Sequence, residues 1–136
     1  MSARLHVMLG EGGVGKTTLA AGYAIALAAR GRNVALLGID PARRLQSALG
    51  LPLGDGAVRV PLAAPGELHA AILSPESTLR RWATEGVARR ADRERLLENK
   101  LFAAMADRLA TTTDVIAAVR IAEWMEREPA IGDFVV

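Results

Sequence analysis

Nine consecutive residues carry the most specific chemistry in this chain: Gly10-Glu11-Gly12-Gly13-Val14-Gly15-Lys16-Thr17-Thr18. They match G-x-x-x-x-G-K-[ST] at every fixed position. Glycines let a backbone wrap close to a phosphate, so that successive N–H groups point inward. Lys16 can place positive charge on the β- and γ-phosphates of a nucleotide. The Thr17 hydroxyl is a hard oxygen donor suited to Mg²⁺, and a helix starting here turns its positive end toward the anion. A second candidate is Asp40, followed by Pro41 and Ala42. In an open α/β sheet, ligands bind at the C-terminal ends of the strands. An aspartate there can orient or deprotonate a water that attacks a γ-phosphate, and it is equally a turn former before proline.

The other titratable residues give weaker signals. His6 and His69 read as packing or surface residues. Arg43-Arg44 is placed where it could touch a nucleotide or partner, but reads better as a solvated pair after a turn. Arg89, Arg90, Arg93 and Arg95 are interleaved with Asp92 and Glu94, the pattern of a solvated helix face.

The motif requires a strand before it and a helix after it. Leu5 to Leu9 is compatible with a strand. From Lys16 to about Arg30 the pattern is helical, with Leu19, Tyr23 and Leu27 at i, i+4, i+8, Ala20, Ala24 and Ala28 beside them, and Gly31 suited to the C′ position. Val34 to Ile39 is a nearly continuous apolar run, as in a strand buried on both faces of a parallel sheet. The first 40 residues thus read as a βαβ unit, for which a right-handed crossover is expected. Residues 52–66 read as loop with a short strand at Val58 to Val60, and Glu67 to Leu73 as a further strand. Ser74 is placed to cap a helix opening at Pro75 and running to about Ala110. Its stripe Leu97, Leu101, Met105 suits core packing better than a client-binding face. A last helix spans Asp114 to Glu128, with Val115, Ala118, Val119, Ala122 and Met125 on one side. A final strand begins at Phe134.

The 136 residues suit a single domain, and 51% apolar with 24% charged residues is a globular balance. The chain has no cysteine, which excludes disulfides, a thiol nucleophile and Cys-ligated metal centres from these residues. A net charge of +2 from 17 basic and 15 acidic groups gives no electrostatic case for nucleic-acid binding. The longest uncharged run, Thr17 to Ala29, is shorter than the roughly 20 residues of a spanning helix. No signal-peptide cleavage site follows the first apolar stretch, so a cytoplasmic location is expected. The ending Asp133-Phe134-Val135-Val136 reads as a buried strand, so a longer natural chain is expected.

With these residues in view, the chain resembles the ArsA-type anion-transporting ATPases. These belong to the deviant Walker A class of P-loop NTPases, alongside the tail-anchored-protein targeting and MinD/ParA partitioning ATPases. The resemblance rests on the Gly loop, on Val34-Ala35-Leu36-Leu37-Gly38-Ile39-Asp40-Pro41-Ala42, and on the spacing between them. Asp40-Pro41-Ala42 with Leu45 and Leu49-Gly50 resembles the switch I segment of the ArsA branch. Asp133 to Val136 resembles the start of a Walker B strand whose aspartate would follow. Residues 1–136 would then be the N-terminal part of one P-loop NTPase domain: α/β, a mostly parallel sheet flanked by helices, truncated before Walker B.

The resemblance implies an ATP-hydrolysing protein using Mg²⁺, with Gly10 to Thr18 binding the nucleotide, Thr17 on the metal, and Lys16 and Asp40 catalytic. It implies a homodimer coupled to a membrane pump or client protein. Glu11 departs from the pattern, because the class usually has a lysine there that reaches across the dimer. A carboxylate near phosphate oxygens is repulsive by about 1–4 kcal/mol. Glu11 therefore turns to solvent, binds a cation, or removes stimulation across the dimer. Two alternatives remain: a MinD/ParA-like switch, and a nucleotide sensor without hydrolysis.

Overall fold

The computed structural model describes residues 3–39, 44–85, 94, 95, 98, 100, 113–128 and 130–136. Its strands are β1 (Arg4–His6), β2 (Val34–Gly38), β3 (Val58–Arg59), β4 (Leu68–Ile72) and β5 (Asp133–Val135). Its helices are α1 (Lys16–Ala29), α2 (Arg44–Leu49), α3 (Pro75–Glu85) and α4 (Thr113–Arg127). The five strands form one sheet in the order β1-β5-β2-β4-β3. All neighbours are parallel except β3 and β4. This is the mostly parallel α/β architecture expected from the sequence.

Side chains alternate across a strand, and β2 uses both faces. Val34 and Leu36 join a core with Ala20, Ala24 and Ala28 of α1 and with Leu68, Ala70 and Val135. Ala35 and Leu37 join a second core with Ile116, Ile121 and Trp124 of α4 and with Phe134. The sheet is therefore covered on both sides, which is why β2 reads as a continuous apolar run.

The helices bury different faces from those expected. In α1 the alanines are buried, Tyr23 and Leu27 pack partly buried against the same core, and Leu19 is 64% exposed. Alanine brings the helix backbone close to the sheet, which a leucine stripe would hold away. The closeness continues past the helix end. Gly31 N–H donates to Ala28 O and Arg32 N–H to Leu27 O, the paired bonds of a Schellman motif. Gly66 N–H also donates to Ala28 O. In α4 the buried residues are Ile116, Ala117, Arg120, Ile121 and Trp124, while Val119 faces outward. Arg120 tolerates burial because it donates to Asp55 O and to Glu123 and lies over the Trp124 ring. Glu123 in turn accepts from Arg81 and from Trp82 Nε1, tying α4 to α3.

Other expectations are met closely. Ser74 Oγ accepts from Ser77 N–H, capping α3. β1 is shorter than expected and ends at His6, yet Met8 N–H still donates to Val136 O. The basic cluster other than Glu94 and Arg95 lies outside the described residues, as does the Leu97, Leu101, Met105 stripe.

At the start of β5, Asp133 is 1% exposed. One carboxylate oxygen accepts from His6 Nε2 at 3.0 Å and the other from Arg32 Nε. The Tyr23 hydroxyl lies 3.3 Å from His6 Nδ1. Burial by itself raises the Asp133 pKa, but the hydrogen bonds and charges of Arg32 and His6 outweigh it and lower the pKa overall. Asn33 adds a second clip: its carbonyl accepts from Gly132 and Asp133 N–H, and its Oδ1 from Glu67 N–H.

A lowered folded-state pKa contributes stability that is present above about pH 4 and is lost as pH falls through the depressed value. Urea unfolding should show Asp133→Asn losing about 1–3 kcal/mol at neutral pH, with a flatter acid limb than wild type. Gly66→Ala should also destabilise, by about 1–3 kcal/mol. Its Cβ would fall 2.2 Å from Arg32 O and 2.7 Å from Arg32 N, backbone atoms that cannot easily move away.

Candidate functional site

The loop from Gly10 to Gly15 connects the β1 side of the sheet to the start of α1. Gly13 and Gly15 have φ of +80° and +91°, a region costly for residues with a Cβ. Those two turns deliver the chain into α1 at Lys16. The helix has no side-chain cap and no acidic residue in its first turn. Its first intrahelical bond in the described set is Leu19 N–H to Gly15 O at 2.9 Å. The N–H groups of Lys16, Thr17 and Thr18 therefore have no intrahelical acceptor. Where most helices supply an Asp, Ser or Thr, this one leaves its donors open to an external anion.

The residues that carry these donors line a cavity of about 630 Å³, together with Gly12, Gly13, Gly15, Ile39 and Arg44. A Cβ added at Gly12 would meet no protein atom within 4 Å. Protein packing does not require glycine at that position, whereas a group bound against the loop would. Gly10, Glu11 and Val14 are not on the cavity wall. Glu11 is exposed. Its carbonyl accepts from the Lys16 ammonium. Lys16 thus rests on its own loop, within reach of the space that the motif assigns to phosphates.

The Thr17 hydroxyl borders the same cavity. Among the described residues no group of three or more His, Asp or Glu is placed to hold a metal. Asp40, Pro41, Ala42 and Arg43 lie outside the described residues. A second cavity of about 170 Å³ shares Lys16, Thr17 and Ile39 with the first and is otherwise lined by apolar residues such as Met8, Leu36 and Val136.

His6 is committed to Asp133 and Tyr23 and lines neither cavity. His69 sits half-buried on β4, away from the loop cavity. Arg44 is exposed, as the solvated-pair reading has it, and also lines the loop cavity.

The family model of the anion-transporting ATPases matches residues 3–130. Two arsenical pump-driving ATPases are similar in sequence. The one from Escherichia coli is 51% identical over 45 residues, covering 33% of this chain and 8% of the relative. The one from Acidiphilium multivorum (strain DSM 11245 / JCM 8867 / NBRC 100883 / AIU 301) is 37% identical over 73 residues, covering 54% of this chain and 12% of the relative. The matched stretches thus span only about a tenth of the length of these curated relatives.

The open amides predict anion binding that needs no nucleoside. Pyrophosphate should raise the thermal midpoint of the wild-type chain. Gly12→Ala should leave the ligand-free midpoint within about 1–2 °C, as an open surface site allows, yet respond less to pyrophosphate. An equal response in both proteins would contradict this reading of the loop.

Proposed function

The chain belongs to the anion-transporting ATPase family of P-loop NTPases, and from that premise we propose that it binds Mg·ATP at Gly10 to Thr18 and takes part in its hydrolysis. The observation that carries this reading is the uncapped, acid-free start of α1 opening on a cavity with Lys16 and Thr17 at its wall. The amides from Gly12 to Thr18 wrap the phosphates. Lys16 leaves the Glu11 carbonyl and moves to the β- and γ-phosphate oxygens. Thr17 ligates Mg²⁺, which supplies charge neutralisation on the phosphates when bound. Asp40 orients the attacking water, which displaces ADP from the γ-phosphorus in line. Catalysis of this kind is positioning and electrostatic stabilisation, with little covalent work for the protein.

No helix among the described residues is long and apolar enough to cross a membrane. In the reading proposed here the protein works in the cytoplasm as a homodimer, with its nucleotide state coupled to a membrane pump or a client protein. The arsenical pump-driving names of its relatives support the pump. Glu11 favours a second reading, nucleotide binding without stimulation across a dimer. Its carboxylate stands exposed beside the loop where the class usually has a lysine.

Phosphate release by the full chain separates these readings. Lys16→Ala should lose ATP binding and turnover together. Asp40→Asn should retain binding and lose turnover by roughly 100-fold, as removal of a positioned water-activating group does. Turnover intact in Asp40→Asn would show that another group positions the water. Glu11→Lys should raise turnover if stimulation across the dimer is what the glutamate removes.

A further inference from the structure

One face of α1 carries a surface that the hydrolysis proposed above does not use. Gly15, Thr18, Leu19, Gly22 and Tyr23 stand at i, i+3, i+4, i+7 and i+8, the spacing of a single helical stripe. Together they line an open cavity of about 570 Å³. The stripe is offset from Ala20, Ala24 and Ala28, which pack α1 onto the sheet. Leu19 is 64% exposed on it. A Cβ added at Gly22 would meet no atom of the described residues within 4 Å. Glycine weakens a helix interior, and packing among the described residues gives no reason for it there.

This cavity adjoins the loop cavity, because Gly15 and Thr18 line both. The two differ in chemistry. The loop cavity has Lys16 and Arg44 in its wall, whereas the α1 face holds no charged residue. The Tyr23 hydroxyl lies 3.3 Å from His6 Nδ1 and is already occupied. What remains beyond Thr18 is apolar contact, at Leu19 and at Gly22, about 6 Å farther along a helix that rises 1.5 Å per residue. A nucleotide has the same division, a charged phosphate chain joined to an uncharged nucleoside.

We propose that this face of α1 seats the nucleoside, with base and ribose lying against Leu19 and Gly22 once the loop has taken the phosphates. This rests on the reading that the loop is the phosphate site. The contact is common to ATP and ADP, so it adds affinity to both without telling them apart.

Calorimetry on the full chain tests it, with MgATP, MgADP and magnesium tripolyphosphate titrated into wild type, Leu19→Ser, Leu19→Met and Gly22→Gln. Leu19→Ser should weaken ATP and ADP by the same factor, about three- to tenfold, the scale of one partly covered apolar side chain. Tripolyphosphate, which has no nucleoside, should weaken by less than about twofold. Leu19→Met should recover most of the loss, since it restores apolar volume. Gly22→Gln places a side chain in the cavity and should weaken both nucleotides but not tripolyphosphate. Equal weakening of nucleotides and tripolyphosphate, or no weakening of either nucleotide, would overturn the proposal while leaving the loop reading in place. So would a loss confined to ATP, because the contact would then be to the terminal phosphate. Wild type that binds none of the three would overturn the loop reading and this proposal together.

Discussion

The first turn of α1 has backbone N–H groups that nothing in its own helix accepts. This constraint organises the site. Buried or shielded donors need partners, and a helix that starts without a capping side chain or an acidic residue leaves that need to solvent or a ligand. Two left-handed glycines, Gly13 and Gly15, hold the chain in this arrangement. Lys16 waits on the Glu11 carbonyl, a partner it can exchange for a phosphate oxygen of greater charge.

The sheet separates stability from chemistry. β5 inserts between β1 and β2, so the strand leading into the loop and the strand leading to Ile39 are held through a common neighbour. At the start of β5, Asp133 joins Arg32 from the α1–β2 connection to His6 of β1, and Tyr23 extends the network into α1. That network and the Asn33 clip tie the start of β5 to β1 and to the entries of β2 and β4. The opposite edge, where strands end, is left for the loop, Ile39 and Arg44. Two apolar cores, one on each face, fix the distance between the layers.

Local chemistry was legible in the sequence where it is written in fixed spacing. The Gly loop, the helix after it, the Ser74 cap and the doubly buried β2 all follow from short-range rules. Helix faces were less legible. Of the stripe Leu19, Tyr23 and Leu27, the last two pack partly buried beside the fully buried Ala20, Ala24 and Ala28, while Leu19 faces outward. In α4 a buried arginine, acceptable only because Asp55, Glu123 and Trp124 receive it, displaces the stripe centred on Val119. The pairing of His6 with Asp133 spans 127 positions, and no local pattern announces it. Asp40, legible as a candidate, lies outside the described residues.

The central claim is that the amides at the start of α1 are the phosphate site. Amide NMR of the isotopically labelled full chain during MgATP titration tests it most directly. The account predicts that the N–H signals of Gly13, Gly15, Lys16, Thr17 and Thr18 move first and farthest, consistent with new bonds to an anion. Saturable shifts confined to other parts of the chain, with these signals unmoved, would contradict it.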